Sequence, residues 1–449
     1  MKLSRRQFIR TAAMFAGPTI LSSGVLRGAS APTNRVNVGL IGCGGRGLYE
    51  SSCYLRSPSA RIVAVCDPWE SKRLRAKQIF EQGYAEERRS GTYKGCEAYA
   101  DFREVLARPD VDAVYIATPD HWHVPITIAA ARAGKDVHCE KPLGVCIQWD
   151  LAARDAIRRY GCVFQYGAER RSTASARHAV ELVLNGYIGE VKEIYVVGPG
   201  SLKGPLHDPP LPVPPELDYE LWLGPAAWAP FSRARCMVNS GIFHIYDYTI
   251  GFIAGWAAHP LDQVQWWADQ LGMGIPVTYE GTGRLPEDGL FDCLIQWNVH
   301  CKYASGLTIH FMDNQTAQTQ DIPGIRDSNA ATFVGTHGWV CISYTEIRTE
   351  PTSLRNVVIG PNQRRLPGPS PTGGYGEAHH MNWIECVRSR RDPDGNIESA
   401  VRSDLISHLS DIAVRTGRKI RWDPVRETIV GDEQAIRMMN RPMREPWTL

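Results

Sequence analysis

The chain has 449 residues, which is more than one ordinary hydrophobic core accommodates, so two domains are expected. Hydrophobic residues make up 43% of the chain and charged residues 22%, proportions typical of a soluble globular protein. The formal net charge of +2 gives no reason to expect nucleic acid or an anionic membrane surface as a partner.

The N-terminus has the pattern of an export signal. Arg5 and Arg6 precede Phe8 and the apolar stretch 11–25, which is the order found in twin-arginine signals. A cytoplasmic helix that happens to carry two arginines is the alternative. The apolar stretch is short, so we expect no stable membrane insertion. We therefore expect a periplasmic or otherwise exported protein that folds, and binds its cofactor, before export.

A glycine-rich turn follows the first predicted strand, 36–41. Gly42, Gly44 and Gly47 fill the GxGxxG pattern, and these glycines are expected to bind the cofactor together with Arg46, which lies between the second and third of them. The first glycine permits the tight turn, the second lets the backbone approach a pyrophosphate, and the third lets the next helix pack on the strand. A glycine turn without a ligand is the alternative, but the strands on both sides favour a dinucleotide-binding Rossmann domain.

Asp67 ends the second predicted strand, 61–66, at the spacing where Rossmann domains place a carboxylate for the ribose hydroxyls. A carboxylate at this position repels a 2′-phosphate, so NAD is favoured over NADP as the cofactor. Lys72 and Arg73 lie close behind and soften that preference.

Strands and helices continue to alternate, which predicts a parallel sheet. Helices are predicted at 101–107 and 124–133, and strands at 111–117 and 136–139. Ligands of such sheets gather beyond the carboxyl ends of the strands. Two polar clusters lie at those ends and are expected to contact the cofactor, namely Thr118, Pro119, Asp120 and His123 after one strand and Glu140 and Lys141 after the next.

More candidate residues follow a later strand end. Tyr166 lies there, and Arg170 and Arg171 come shortly after it, so these three are expected to bind substrate, with surface charge as the alternative for the arginines. The Pro- and Gly-rich segment 198–230 is expected to wrap over the site or to form a subunit arm, and a disordered linker is the alternative.

The cysteines favour free thiols. Twelve Cys occur at irregular spacing, with neither a CxxC pair nor zinc-type Cys/His spacing, so no metal is expected. Cys66 and Cys162 lie in or beside apolar runs, which indicates burial, although an even count in an exported protein leaves one or two disulfides open. The 13 Trp residues slightly favour a carbohydrate ligand, because sugar sites use flat aromatic faces.

With these residues in hand, the chain resembles the glucose–fructose oxidoreductase / inositol dehydrogenase (Gfo/Idh/MocA) family. The matching segments cover nearly the whole chain after the signal and are 38–47, 116–123, 139–143, 221–225, 259–262, 335–338 and 382–389. The resemblance implies a C-terminal α/β domain whose open sheet faces the nicotinamide and often forms the oligomer interface, so a homodimer or homotetramer is expected. It also implies hydride transfer with sugars, inositols or their keto forms.

The resemblance also implies two catalytic residues. Lys141 matches the family's catalytic lysine, which hydrogen-bonds the substrate oxygen and carries its proton; a surface ammonium paired with Glu140 is the alternative. The second family motif has an Asp and a His four residues apart. His259 matches the His, but Gly255 stands at the Asp position, so the usual proton relay is incomplete.

Asp247, between two tyrosines, is the best replacement for that carboxylate, and an exposed loop Asp is the alternative. His259 directly precedes Pro260, a favoured first helical residue, and the predicted helix 261–268. The positive end of the helix dipole favours a neutral imidazole there, which suits a base. Asp262, one turn on, is expected to contact substrate or to partner His259.

The predicted fold is α/β, with an N-terminal Rossmann parallel sheet and a C-terminal α/β domain that has an open, mainly antiparallel sheet. The expected segments are a twin-arginine signal 1–31, an NAD-binding domain 34–165, a substrate and oligomerisation domain 166–430, and a C-terminal arm 431–449.

The predicted function is an exported, NAD-dependent oxidoreductase that transfers hydride between a tightly held cofactor and a small carbohydrate: a sugar, glycoside or polyol. The alternative is a redox-neutral, NAD-dependent glycosidase or lyase that acts through a transient keto-glycoside. The Glu140–Lys141–Pro142 sequence favours the first. A non-catalytic binding protein is a third possibility, which the presence of both Lys141 and His259 disfavours.

Overall fold

The computed structural model describes residues 35–237, 241–344, 346–366 and 375–449. The predicted signal segment 1–31 lies outside the described residues. By their contacts, Val36–Leu449 form one compact unit. The predicted boundaries at 165/166 and 430/431 therefore stay predictions.

Six parallel strands form the first sheet. They are β1 (Val36–Ile41), β2 (Ala60–Cys66), β3 (Glu97–Tyr99), β4 (Ala113–Ile116), β5 (Asp136–Cys139) and β6 (Phe164–Tyr166). Their order is β3-β2-β1-β4-β5-β6, so the chain changes direction between β1 and β4. In doubly wound sheets the ligand crevice lies at the carboxyl end of this switch point.

Fourteen helices occur in the described part of the chain. They are α1 (Gly45–Ser51), α2 (Glu70–Gly83), α3 (Ala85–Arg89), α4 (Phe102–Ala107), α5 (His123–Arg132), α6 (Ile147–Tyr160), α7 (Ala174–Leu184), α8 (Tyr219–Leu223), α9 (Phe252–Gly255), α10 (Ala258–Gln270), α11 (Asn314–Ala317), α12 (Tyr375–Ser389), α13 (Ile397–Thr416) and α14 (Glu433–Arg437). Short 3-10 turns lie at Ser52–Leu55, Asp120–Trp122, Glu169–Ser172, Gly241–Phe243 and Thr352–Asn356, and a π-helical turn at Arg233–Met237.

The second sheet has nine strands. They are β7 (Val191–Gly198), β8 (Thr278–Arg284), β9 (Gln296–Lys302), β10 (Thr308–Asp313), β11 (Ala330–Gly335), β12 (Gly338–Ser343), β13 (Ile347–Glu350), β14 (Ile420–Asp423) and β15 (Thr428–Ile429). The order is β13-β12-β11-β7-β10-β9-β8-β14-β15, and only the β7–β10 pair is parallel. The predicted fold class, a parallel Rossmann sheet plus a mainly antiparallel one, is confirmed.

The second sheet is covered by helices on one face. Trp267 of α10 packs on Phe333 of β11 with ring centroids 5.4 Å apart, and Cys301 of β9 meets Ser410 of α13 at 3.5 Å. On other strand positions of the same sheet, the rings of His300 and His310 contact each other and are not fully buried. The sheet is therefore packed on one side and open in part on the other.

The helix that carries His259 begins earlier than predicted. It starts at Ala258, so His259 and Pro260 lie inside its first turn instead of before it. The reason is local: Trp256 and Ala257 already have right-handed helical dihedral angles after α9. Proline is tolerated in a first turn because its missing N–H would have no partner there.

The segment 198–230 is packed, as the wrapping-loop alternative predicts. Leu217 pairs with Trp69, which follows the end of β2, and the Trp122 indole donates to the Leu221 carbonyl at 3.0 Å. Both contacts lie beside the carboxyl edge of the Rossmann sheet.

All twelve cysteines are free and eleven are buried, so the prediction of buried thiols is confirmed and the disulfide alternative is wrong. Within the described ranges, no helix combines the length and apolar character needed to cross a membrane.

Candidate active site

The glycine turn after β1 has the geometry that a dinucleotide needs. A Cβ on Gly42 (φ +97°) would lie 2.4 Å from the Ala117 carbonyl oxygen, and one on Gly47 would lie 2.1 Å from that of Gly42. A Cβ on Gly44, which caps α1, would meet no atom within 4 Å. Close packing therefore requires glycine at positions 42 and 47. Gly44 leaves open space at a helix N-terminus, where a pyrophosphate fits.

Asp67 lies at the end of β2, beside this turn. Its Oδ2 accepts the backbone N–H of Cys43 and its Oδ1 that of Trp69, each at 2.9 Å. Burial raises the pKa of Asp67, while Lys72 and the two backbone N–H groups oppose that shift. The carboxylate thus fixes the glycine turn from the position where a ribose would bind.

His123 joins the ends of β4 and β5. Its Nδ1 lies 2.6 Å from the Pro142 carbonyl and its Nε2 2.9 Å from that of Thr118. Two carbonyl partners require both ring nitrogens to carry hydrogen, so the ring is an imidazolium. Burial lowers the pKa of His123, but Cys139, Asp120 and the Pro142 carbonyl raise it to about 10 overall.

Two buried polar atoms of the same cluster have no hydrogen-bond partner in the described part of the chain: Oγ1 of Thr118 and Oδ2 of Asp120. Pro119 lies between them and is the N-cap of the 3-10 turn Asp120–Trp122. Because buried polar atoms are nearly always partnered, this edge of the sheet suits a polar ligand. The cluster and the glycine turn together fit NAD.

Arg46 ties three carboxylates together across the sheet edge. Its guanidinium lies 2.8 Å from Glu50, 2.9 Å from Glu140 and 2.9 Å from Glu169. Tyr115 also donates to Glu140 at 2.9 Å. Burial raises the pKa of Glu140, yet the Arg46 charge outweighs it and holds that pKa below its usual value. Arg46 thus links the glycine turn to the ends of β5 and β6.

Lys141 reaches across to the second half of the chain. Its Nζ donates to the carbonyl oxygen of Gly255 at 2.5 Å and lies 5.4 Å from the centre of the Trp256 ring. Glu140 bonds with Arg46 and Tyr115, so the lysine is not a surface ammonium paired only with its neighbour. At the position where the family Asp is missing, a backbone carbonyl receives the amine.

His259 borders the same space. Its ring centre lies 6.2 Å from that of Trp256 and 6.4 Å from that of Tyr344. Burial lowers the pKa of His259 to about 3, against the charge of Glu169 and with the help of nearby cations. A neutral imidazole is what the sequence predicts, but burial is the main cause and the helix dipole is not needed.

An aromatic lining connects these groups. Trp256 contacts Lys141, His259 and Tyr344, and 38% of its surface is exposed. The Arg170 guanidinium stacks on Tyr344 at 3.5 Å from the ring centre. The structure therefore brings Lys141, His259 and Arg170 to one aromatic surface.

Three residues of this site escape the sequence analysis: Glu169, Trp256 and Tyr344. Glu169 directly precedes Arg170 and Arg171, and Trp256 lies between Gly255 and His259. Their position beside predicted site residues was the signal that could have identified them. Tyr344 has no such signal, because it reaches the site from the end of β12.

Three predicted substrate-binding residues instead form buried contacts with other side chains of the protein. Arg171 and Asp262 form a doubly hydrogen-bonded ion pair at 2.6 Å, with side chains only 1% and 0% exposed. The Tyr166 hydroxyl donates to Asp404 and is fully buried. Arg171, Asp262 and Tyr166 therefore have a structural role in place of the expected substrate contact, because their polar groups already have buried partners.

Asp247 is exposed and forms no hydrogen bond or ion pair with Lys141 or His259 among the described residues. Its neighbour Tyr246 lies between the guanidinium groups of Arg415 and Arg441, each 3.7 Å from the ring centre. That ring is already covered on both faces, so the structure does not support Asp247 and its tyrosines as the replacement carboxylate and sugar platform.

Comparison with known proteins gives two family matches. The model described as "Oxidoreductase family, NAD-binding Rossmann fold" (GFO_IDH_MocA) matches residues 36–168, and "Oxidoreductase family, C-terminal alpha/beta domain" (GFO_IDH_MocA_C2) matches 201–449. The aldose-aldose oxidoreductase of Caulobacter crescentus, in complex with glycerol, has a similar fold. Its TM-score is 0.61 at 19% identity, with coverage of 86% of this chain and 99% of that one.

Two curated relatives are similar over shorter stretches. A "Glycosyl hydrolase family 109 protein" of Saccharopolyspora erythraea is 32% identical over 180 residues, covering 36% of this chain and 38% of the relative. The levoglucosan dehydrogenase of Pseudarthrobacter phenanthrenivorans is 32% identical over 158 residues, covering 35% and 39%. The chain thus matches well under half the length of each.

Proposed function

Because the chain belongs to the GFO/IDH/MocA oxidoreductase family and carries its NAD-binding Rossmann domain, we propose that it oxidises or reduces a sugar, glycoside or polyol. The observation that carries this proposal is the meeting of Lys141 and His259 on the Trp256 surface, beside the carboxyl edge of the Rossmann sheet. Relatives named as a levoglucosan dehydrogenase and a glycosyl hydrolase support a carbohydrate substrate.

In this proposal each residue has one task. NAD, when bound, supplies the hydride acceptor or donor. Lys141 turns from the Gly255 carbonyl to donate a hydrogen bond to the substrate oxygen, and His259 takes the hydroxyl proton. The flat faces of Trp256 and Tyr344 pack against the C–H face of the sugar ring. This packing also excludes water from the reacting atoms.

A second candidate is the redox-neutral glycosidase, which the glycosyl hydrolase name of one relative favours. In that chemistry, oxidation of one ring carbon acidifies a neighbouring C–H, and elimination releases the aglycone before the cofactor is restored. Both candidates begin with the same proton and hydride transfer, so the site residues are shared.

One assay separates the candidates. The purified protein is incubated with free sugars, polyols and aryl glycosides while reduced-nicotinamide absorbance and products are followed together. Reduced cofactor that persists until a carbonyl acceptor is added is expected for the oxidoreductase. Released aglycone with no net change of cofactor would favour the glycosidase instead. The absence of both signals would contradict both enzymatic candidates and favour a binding protein.

We also propose that the protein is exported by the twin-arginine route with its cofactor bound, which the Arg5–Arg6 motif supports. Self-association as a dimer or tetramer through the open side of the second sheet belongs to the same proposal, and the partly exposed His300–His310 pair lies on that sheet.

A further inference from the structure

A row of directly paired residues crosses the open face of the second sheet. In the strand register, Tyr195 of β7 lies opposite His310 of β10, and His310 lies opposite His300 of β9. Successive strand residues alternate between faces, so the row lies on the face opposite to the buried side chains of Ile309 and Cys301. His300 is exposed and His310 is half-buried, so a solute reaches this pair from the solvent.

The ring nitrogens of the two histidines lie close together. The Nδ1 atoms of His300 and His310 are 3.1 Å apart, and the ring planes are nearly perpendicular, at 89°. Two imidazole nitrogens that bind one Zn²⁺ at the usual distances and at a tetrahedral angle are about 3.3 Å apart. The separation in the protein is therefore close to that of a chelating pair, and little ring movement is needed to place both nitrogens on one cation.

Two neighbours hold the His310 ring in the orientation that a metal ligand needs. Its Nε2 lies 3.7 Å from Oε1 of Glu193, whose Oε2 accepts a hydrogen bond from the Tyr195 hydroxyl at 2.9 Å. The Tyr195 ring also stacks on His310, with centres 4.8 Å apart and planes at 18°. Metal-binding histidines usually present their second ring N–H to a carboxylate, which fixes the tautomer. A carboxylate beside Nε2 therefore leaves the Nδ1 lone pair of His310 for a cation.

We propose that His300 and His310 form a chelating site for a divalent transition-metal cation of the Zn²⁺, Ni²⁺ and Cu²⁺ class. Both Nδ1 atoms bind the cation, Glu193 orients the His310 ring, and water completes the coordination. Imidazole suits these cations, whereas Mg²⁺ and Ca²⁺ prefer oxygen ligands. Glu280 lies opposite His300 on β8, but its carboxylate pairs with Lys419 at 3.1 Å and is not counted as a ligand.

The pair has no signal in the sequence. His300 and His310 are ten positions apart (310 minus 300), and only the β9–β10 register places them opposite each other. The expectation of no metal rested on Cys/His spacing, which does not report such a pair. The site is independent of the proposed carbohydrate oxidation. It lies on the face proposed for self-association, so a cation there is held by one chain or shared by the pairs of two copies.

The test titrates the full chain, without an affinity tag, with ZnCl₂ in a calorimeter. His337→Gln is the matched control, because His337 is also exposed on this sheet, in the turn between β11 and β12. We expect His300→Gln and His310→Gln each to weaken Zn²⁺ binding at least about tenfold, because each removes one of two ligands. His337→Gln should keep the wild-type Kd. Glu193→Gln should weaken binding less than loss of either ligand, because it removes only the charge behind His310.

Electron paramagnetic resonance of the Cu²⁺-loaded protein identifies the ligands independently of affinity. The wild type should show hyperfine splitting from two imidazole nitrogens, and His300→Gln should lose one of them. Equal Zn²⁺ Kd values for wild type, His300→Gln and His310→Gln, or a copper spectrum without imidazole nitrogen, would overturn the inference. If His310→Gln does not fold, the exposed variant His300→Gln decides. One Zn²⁺ per chain supports the site, and so does one per two chains, which is the ratio for a shared cation.

Discussion

We expect cofactor choice to depend on one residue, Asp67. Asp67 accepts hydrogen bonds from two backbone N–H groups. Burial raises the pKa of its carboxyl group and so opposes ionisation. Its charge stands where a ribose hydroxyl binds and where a 2′-phosphate would be repelled. Lys72, a nearby cation, lies 5.2 Å from the Trp69 ring and does not hydrogen-bond the Asp67 carboxylate in the described structure.

Asp67→Asn is expected to weaken NADH binding by about tenfold, since a charged hydrogen bond to the ribose is lost. NADPH binding should weaken less or improve, because the repulsion is also removed. Fluorescence titration of cofactor-free protein with both nucleotides measures the two Kd values. Asp110→Asn, a surface carboxylate paired with Arg108, is the control. An unchanged ratio of the two Kd values would show that Asp67 does not select the cofactor.

Residues whose role is local were predictable from the sequence, and residues whose role is not local were missed. Gly47 acts through the neighbouring Gly42 carbonyl, so the spacing of these two glycines alone was informative. Glu169 acquires its meaning from Arg46, which lies 123 positions earlier in the chain (169 minus 46). Arg171 was assigned to substrate because sequence shows a charge but not the buried Asp262 that pairs with it.

At the scale of elements, α13 supports the segment that carries Lys141. Its Asp404 accepts the backbone N–H of Leu143 at 2.5 Å and the hydroxyl of Tyr166. His408, one turn further, bonds with Asp150 of α6 at 3.0 Å. Burial, and then the charge of Asp150, raise the pKa of Asp404 to about 7.

The raised pKa of Asp404 predicts a pH-dependent stability. Between about pH 4 and pH 7 the unfolded chain releases this proton while the folded protein keeps it, so rising pH favours unfolding in that window. Asp404→Asn removes the effect. Relative to wild type, its free energy of unfolding should therefore increase from about pH 4.5 to about pH 7.5. Urea denaturation at several pH values measures this, with Asp288→Asn, at an exposed carboxyl group, as control. A constant difference between Asp404→Asn and wild type would contradict the prediction.

Elements with clear end signals were predicted well. Asp101 caps α4 by accepting the N–H of Arg103, and β1 and β5 occupy the predicted residues. The start of α10 was wrong by three residues, since Pro260 indicates a first turn without fixing which residue of that turn it occupies. The nine-strand sheet followed only from the family resemblance, because its register is set by contacts distant in sequence.

At the scale of the whole molecule, the C-terminal arm returns to the Rossmann edge. Trp447 packs edge-on against Trp122 at 4.7 Å, and the Arg103 guanidinium lies 5.3 Å from the Trp447 ring centre. Trp122 immediately precedes His123, so the end of the chain packs against the segment that contacts the predicted cofactor site. If the cofactor is bound before export, Trp447 must already be packed against the segment that leads to His123.

This dependence predicts that export, if it occurs, follows folding. Replacing Arg5 and Arg6 together by Lys is expected to retain the protein inside the cell, while the single variant Arg10→Lys should be exported. Cell fractionation measures the location, and mass spectrometry of the exported wild type under denaturing conditions should detect NAD(H). Exported protein without nucleotide would show that the cofactor is not carried along.

The Arg46 link has a kinetic consequence. One guanidinium joins the glycine turn to the ends of two other strands, so opening of the turn would separate the Arg46–Glu140 and Arg46–Glu169 ion pairs. A bound dinucleotide would then leave slowly compared with the chemical step. Each molecule would then oxidise one substrate and reduce another in alternation, with the same bound nicotinamide serving both half-reactions.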